Sequence, residues 1–366
     1  MKNTHFFYQA LIFALLICSC SVEINQTSAP PTLTNTPAVL TTSSVSGTQV
    51  PVTWAHLNLT GKLVYLASKM DGDKVTSTIQ MLDLANGSIS TILDIPTAWV
   101  YYATVSPDAT TLVMSFAPPS QANSPSTRSL YVMPLDASTE PQLLFTPPTP
   151  GDRYTQAEWS PDGKHIYYAH YNQDEREGQF YEDYNINQMT YPEGEHKPIL
   201  EHAFWPRVSS DSSRLAYVSL DPDSGSNELF VANIDGSNTQ RVAISGAQPL
   251  DIIDAPIFSP DGKTILFSAP VPAQSSAPSF LDRVLGVQVV QAHNVPSDWW
   301  SVPISGGAPT RLTSIQTINL FASISPDRQH IASLSGDGIF VMDLDGSNLT
   351  QLLSDSGVHG TLSWIP

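Results

Sequence analysis

The chain is 366 residues long, carries a formal charge of −18 with only 14% charged residues, and contains 30 prolines and 2 cysteines. Such an acidic surplus excludes the basic footprint that a nucleic-acid partner demands, and it suits the solubility of an exported protein. Of Cys18 and Cys20 only the second would remain once an export signal is cut, so no disulfide is then possible and stability has to come from a large core.

At the amino terminus Lys2 supplies a basic start and Phe6 to Ile17 an apolar run too short to span a bilayer comfortably. Ile17-Cys18-Ser19-Cys20 resembles a lipobox, with a small residue before the second cysteine. Residues 1–19 are therefore predicted to be a signal, and the product to begin at a diacylglyceryl-modified Cys20, as in bacterial lipoproteins. Bulky Ile17 disfavours a cut before Cys18, and the alternative is ordinary secretion after a cut elsewhere. Several acyl chains hold a protein stably on a membrane. Losing Lys2 takes the charge from −18 to −19. Residues 20–53 are rich in Thr, Ser and Pro with little apolar patterning, and read as a disordered tether.

From 54 to 366 one phrase recurs. It reads VSPDATTLVMSF from Val105, WSPDGKHIYYAH from Trp159, VSSDSSRLAYVS from Val208, FSPDGKTILFSA from Phe258 and ISPDRQHIASLS from Ile324. A unit of roughly 40 to 50 residues points to a propeller or solenoid. Each copy has a second half, a strand, tight turn and strand, clearest from Leu229 and Ile339 and weaker from Ile79, Leu130, Tyr184 and Trp299. The missing first half is divided between the ends: TGKLVYLAS from Thr60 lacks its preceding strand, and Trp364-Ile365-Pro366 repeats Trp159-Ser160-Pro161 and stops. A ring closed by its own ends explains both fragments and leaves no open sheet edge. The prediction is an all-β, six-bladed propeller of four-stranded antiparallel blades, with the last strand joining the first blade.

Within a blade, strands A to D run from the central channel outward. Pro-Asp-Gly-Lys turns A into B, and Asp-Gly-Ser-Asn turns C into D. Strand B is a nearly continuous apolar run such as Ile166-Tyr167-Tyr168-Ala169, as expected where neighbouring blades cover both faces. These motifs resemble the TolB-type propeller repeat, a WD40-like Ser-Pro-Asp-Gly unit also seen in prolyl oligopeptidases and dipeptidyl peptidases, over about Leu57 to Pro366. The resemblance implies the fold and, by analogy with TolB, protein partners. No amino-terminal TolB domain is recognisable, and the peptidases carry a separate hydrolase domain that this sequence does not show.

No nucleophile elbow, His-Glu-x-x-His pair or phosphate loop is present, so no cofactor and no metal is expected. Asp343-Leu344-Asp345-Gly346 has its glycine too early for an EF-hand and reads as a hairpin. Asp108, Asp162, Asp211, Asp261 and Asp327 are expected to cap the A–B hairpins rather than gather round a ligand.

In an up-and-down blade the A–B and C–D turns lie on one face, and the B–C and D–A connections on the other. The first set is short and repetitive; the second varies, and variable loops on a rigid scaffold carry recognition. Two B–C insertions stand out. His170 to Tyr184 mixes acids with aromatics and reads as a solvated loop, while Ala269 to Trp300 contains Phe280, Leu281, Val284, Leu285 and Val289, which suit one face of a helix that either packs or binds. The D–A connections carry Trp99, Tyr101, Asp152, Arg153, Tyr154, His202, Phe204, Trp205, Asp251, Asp254 and His359.

From these come the expected ligand-binding residues Trp99, Tyr101, Tyr154, His170, His202, Trp205, Asp254, His293, Trp299, Trp300 and His359, with Trp205 equally suited to the core. The reading is a monomeric, membrane-anchored binding or scaffold propeller of the extracytoplasmic envelope, recognising a protein or peptide through its variable face. The alternative is a hydrolase or lyase on peptide or polysaccharide, with acid or base drawn from His170, His202, Asp254, His293 and His359. That alternative requires at least two of those groups to converge within hydrogen-bond reach.

Overall fold

The computed structural model describes residues 47–71, 74–94, 98–117, 127–149, 151–176, 179–192, 194–220, 226–246, 250, 252–271, 295–355 and 357–366. Cys20, most of the expected tether, Asp251, the expected helix around Phe280 to Val289 and His293 lie outside the described residues.

Six antiparallel sheets follow one another along the chain. Blade 1 holds β1 (Thr48–Gln49), β2 (Lys62–Asp71), β3 (Lys74–Asp83) and β4 (Ser88–Asp94); blade 2 holds β5 (Trp99–Val105), β6 (Thr111–Ala117), β7 (Ser129–Pro134) and β8 (Gln142–Phe145). Blade 3 comprises β9 (Arg153–Trp159), β10 (His165–Arg176), β11 (Gln179–Thr190) and β12 (His196–Leu200), and blade 4 comprises β13 (Ala203–Val208), β14 (Arg214–Leu220), β15 (Asn227–Asn233) and β16 (Gln240–Arg241). Blade 5 has β17 (Asp254–Phe258), β18 (Thr264–Pro270), β19 (Ser297–Pro303) and β20 (Thr310–Arg311); blade 6 has β21 (Phe321–Ile324), β22 (His330–Ser335), β23 (Gly338–Asp343) and β24 (Thr350–Leu353). The final strand, β25 (Val358–Ile365), returns to pair with β2 as the inner strand of blade 1.

This is the expected six-bladed ring, closed by the last strand: Leu63 pairs with Trp364 and Val64 with Ser363. The Trp364 indole N–H donates to the Thr60 carbonyl at 2.9 Å, fastening the seam. Blade 1 also has a fifth, outermost strand, because Thr48 and Gln49 pair with Ile89 and Ser88. Pairing thus begins within the Thr-rich stretch ahead of residue 54, whose short strand carries no apolar pattern to announce it.

The A–B turns share one clip. In each Ser-x-Asp copy the serine hydroxyl donates to the aspartate two residues on, at 2.5 to 2.7 Å. The same serine oxygen accepts a backbone N–H from five residues on, at 2.9 to 3.0 Å. The residue after the aspartate takes a left-handed conformation, at Ala109, Gly163, Ser212, Gly262 and Arg328 alike. This explains why glycine appears in that place in the cleanest copies. The turn serines hold all five carboxyls below the ordinary 3.8, Asp211 down to about 2.

The inner three strands of each blade bury most of the core, and the outer strands are mainly exposed or half-buried, with Leu93, Leu352 and Leu353 as buried exceptions. Strand B is buried almost throughout, as in β6 and β18. On the outside, C–D turns lie hard against the preceding blade: a side chain at Gly236 would meet the Ile199 carbonyl, and one at Gly346 the Leu312 carbonyl.

Two sequence expectations change. The His170 to Tyr184 stretch is no loop but a prolongation of strands B and C, paired residue by residue from Tyr171↔Tyr184 out to Arg176↔Gln179. A backbone ladder continuing past the blade needs no apolar alternation to hold its register, which is why the polar run reads as loop. The residues assigned to D–A connections, His202 and Asp152 aside, mostly begin the inner strands instead.

Candidate functional site

The first residues of the inner strands surround one end of the channel, on the same face as the prolonged β10–β11 hairpin. Here the inner strand bulges in blades 1 to 5. Gly360, Gln156, Trp205 and Ala255 each take φ between 45° and 68° at their bulge. A bulge re-aims side chains, and these bulges fill the channel. Tyr102 of blade 2, Trp205 of blade 4 and Phe321 of blade 6 meet as three rings, with centroids 5.6 Å (Tyr102–Trp205), 5.4 Å (Trp205–Phe321) and 6.1 Å (Tyr102–Phe321) apart. Alternate blades can touch only across the axis, so this trio is a plug. Gln156 Oε1 of blade 3 accepts the Trp205 backbone N–H at 2.8 Å.

Asp254 of blade 5 completes the plug level. It is 2% exposed and accepts hydrogen bonds from the Ala255 N–H and the Trp205 indole. Burial outweighs both bonds and pushes its carboxyl up to about 8, so at neutral pH it holds a proton. Burial likewise raises the Tyr102 phenol to about 12.

Above the plug, at the seam of blades 2 and 3, aromatic and basic groups gather. The Trp99 and Tyr101 rings stack with centroids 6.0 Å apart. The Arg128 guanidinium lies 3.2 Å from the centre of the Tyr101 ring, and Arg153 lies 4.2 Å from that of Tyr171. Tyr154 N–H donates to the Arg128 carbonyl at 2.9 Å, tying β9 to the start of β7. His170 Nε2 lies 3.0 Å from Asp152 Oδ2.

The expected ligand-binding residues therefore separate into groups. Trp99, Tyr101 and His170 come together at the mouth, half-buried. Tyr154 stands beside them but is buried against Phe145, Tyr168 and His170, its phenol raised to about 12 by burial and then by Asp152. Trp205 and Asp254 belong to the plug. Trp299 is fully buried, its indole donating to Ser333 Oγ of blade 6 at 2.6 Å, and so serves the core between blades. Trp300 is half-buried with its indole on the Ala269 carbonyl at 3.1 Å. His202 is exposed and meets Asp183 at 2.8 Å; His359 sits 3.2 Å from Ser68 Oγ. His170, His202, Asp254 and His359 thus each engage a different partner, and none engages another.

Sequence reading missed Arg128, Glu158 and Arg207. Arg128 was legible from topology, since it stands just before a strand C and so on the variable face. Glu158 and Arg207 pair at 2.7 Å between blades 3 and 4, in a cavity of about 370 Å³ that opens among the A–B turns at the opposite end of the channel. Burial raises the Glu158 carboxyl, and Arg207 opposes that rise. Among the described residues no cluster of His, Cys, Asp and Glu suited to a metal ion occurs, and no helix is long and apolar enough to cross a membrane.

No family model matches the chain. Among solved structures, TolB from Acinetobacter baumannii superposes with a TM-score of 0.60 at 19% identity, covering 84% of this chain and 67% of that one. A putative TolB from Agrobacterium tumefaciens gives 0.56 at 19% identity, over 81% of this chain and 100% of that one. A chain of the nidogen/laminin complex gives 0.56 at 11% identity, over 83% and 98%. At these identities the likeness is one of fold, and the chain is a six-bladed β-propeller similar in architecture to the TolB proteins.

Proposed function

We propose that this propeller is a binding or scaffold module of the cell envelope that recognises a protein or peptide partner through the mouth formed by its B–C and D–A segments. A lipid on Cys20 anchors it on the extracytoplasmic side of a bacterial membrane, the Thr/Ser/Pro-rich segment sets it off the surface, and it works as a monomer without a cofactor. The observation that carries the reading is the half-buried cluster of Trp99, Tyr101, Arg128 and Arg153, backed by buried Tyr171, above a plugged channel. Aromatic and arginine side chains are the usual anchors of protein recognition. Capture of envelope proteins by the purified chain, compared with Trp99→Ala and Trp300→Ala variants of unchanged melting temperature, tests it. A partner retained equally by all three would overturn it.

A hydrolase or lyase acting on peptide or polysaccharide is the second reading. It draws on the His170–Asp152 pair at 3.0 Å, in which a buried carboxylate could orient an imidazole as general base. His170→Ala abolishing a turnover activity of the chain would favour it over the binding reading.

A further inference from the structure

The seam of blades 2 and 3 concentrates positive charge in a protein of formal charge −18. Arg128 starts from the strand C edge of blade 2, and Arg153 opens the inner strand of blade 3. Their backbones form a bridge, and Arg153 is one of the charges acting on the Arg128 guanidinium. Both side chains are half-buried, and the Nε of each is buried with no hydrogen-bond partner. Among the described residues neither guanidinium has an ion-pair partner, and the nearby carboxylate of Asp152 is engaged by His170. Two adjacent, partly desolvated cations with no ion-pair partner among the described residues are costly to hold in place, and unsatisfied buried donors call for an explanation.

We infer that Arg128 and Arg153 form a clasp for a carboxylate of a peptide ligand, an aspartate or glutamate side chain or a carboxy-terminal group. The inference rests on the peptide-binding reading above and specifies the chemistry of what is bound. Guanidinium forks match carboxylates in a planar, two-pronged geometry. Arg128 and Arg153 already cover Tyr101 and Tyr171, and Arg128 also shares a side-chain hydrogen bond with Tyr101, so both guanidinium groups are held in place beside the mouth. The same stacking takes up the tyrosine faces on which a sugar ring would lie, which favours a peptide over an acidic polysaccharide. An overall acidic protein repels anionic ligands at long range, so attraction here has to be local and to survive added salt better than diffuse charge attraction would.

The test is titration of the full chain with pentaglutamate, with pentalysine, trigalacturonate and sulfate as comparison probes. Pentaglutamate is expected to bind, and Arg153→Gln to weaken it by roughly tenfold to a hundredfold. Arg153→Lys, which keeps the charge but loses the fork, should lose most of that affinity, while Lys263→Gln on an A–B turn should bind as the original does. Arg128→Gln should match Arg153→Gln; if it fails to fold, the Arg153 pair of variants decides. Absent pentaglutamate binding, equal binding by Arg153→Gln, or preference for trigalacturonate or sulfate over pentaglutamate would each overturn the inference. If pentaglutamate fails while envelope-partner capture still depends on Trp99, the clasp falls and the binding reading stands.

Discussion

Trp205 and Phe321 meet at 5.4 Å although blade 5 separates their blades, and that contact closes the channel. Trp205 adopts φ 56° to reach it, a left-handed conformation that a bulky residue takes only when its surroundings impose it. Trp205→Ala should therefore destabilise the fold by about 3–5 kcal/mol, the usual loss for deleting a buried tryptophan. Chemical denaturation measures it; a loss below about 1 kcal/mol would mean the rings merely line an open channel.

Ring closure makes its own prediction. Gly61 has φ 85°, and any side chain there would run into the Ile365 carbonyl of the closing strand. Gly61→Ala should lower stability by at least about 1 kcal/mol. Ser212 presents the converse case, an ordinary residue at φ 58° in an A–B turn. Ser212→Gly should be neutral or stabilising by up to about 1 kcal/mol, read from thermal unfolding of both variants side by side.

Two sets of carboxyls give stability opposite pH slopes. Asp254, at about 8 in the folded chain against 3.8 unfolded, keeps a proton that the unfolded chain has released between those values. Stability should fall as pH rises through that window, by up to roughly 1.4 kcal/mol per pH unit. The turn aspartates act the other way: their values lie below 3.8, so their contribution is present above it and is lost as pH falls through the depressed values, to about 2 for Asp211. Asp254→Asn should flatten the slope above pH 3.8 and leave the acid limb unchanged.

Asp298, fully buried at the start of β19, accepts from Arg311, Thr313 and the Ile315 and Gln316 N–H groups, organising the connection from blade 5 to blade 6. Asp298→Ala should cost about 3–5 kcal/mol, because a half-buried arginine and buried donors lose their acceptor. Urea denaturation provides the number, and a neutral result would show that water replaces the carboxylate.

The blades, their turns and the closing strand were legible because each rests on a local rule repeated round the ring: Ser-x-Asp clips, Asp-Gly hairpins and unbroken apolar B strands. The plug was not, since three of its four left-handed positions are Gln156, Trp205 and Ala255, with a glycine at Gly360 alone, and only the approach of alternate blades reveals why. Trp299 reads in the sequence as a mouth residue because it borders a long insert, yet its register opposite Ser268 turns it into the core. Arg128 is a lone basic residue in the sequence; its meaning depends on Arg153, which reaches it only through the seam between blades.

On the proposed function a partner is held at the plugged mouth and not among the repetitive A–B turns. The direct measurement is the affinity of a captured envelope partner for the original chain, for the Trp99→Ala/Arg153→Gln double variant, and for Lys263→Glu on the opposite face. The double variant is expected to lose at least about tenfold in affinity while Lys263→Glu keeps it. A partner that tolerates the double variant and is lost on Lys263→Glu would contradict that expectation.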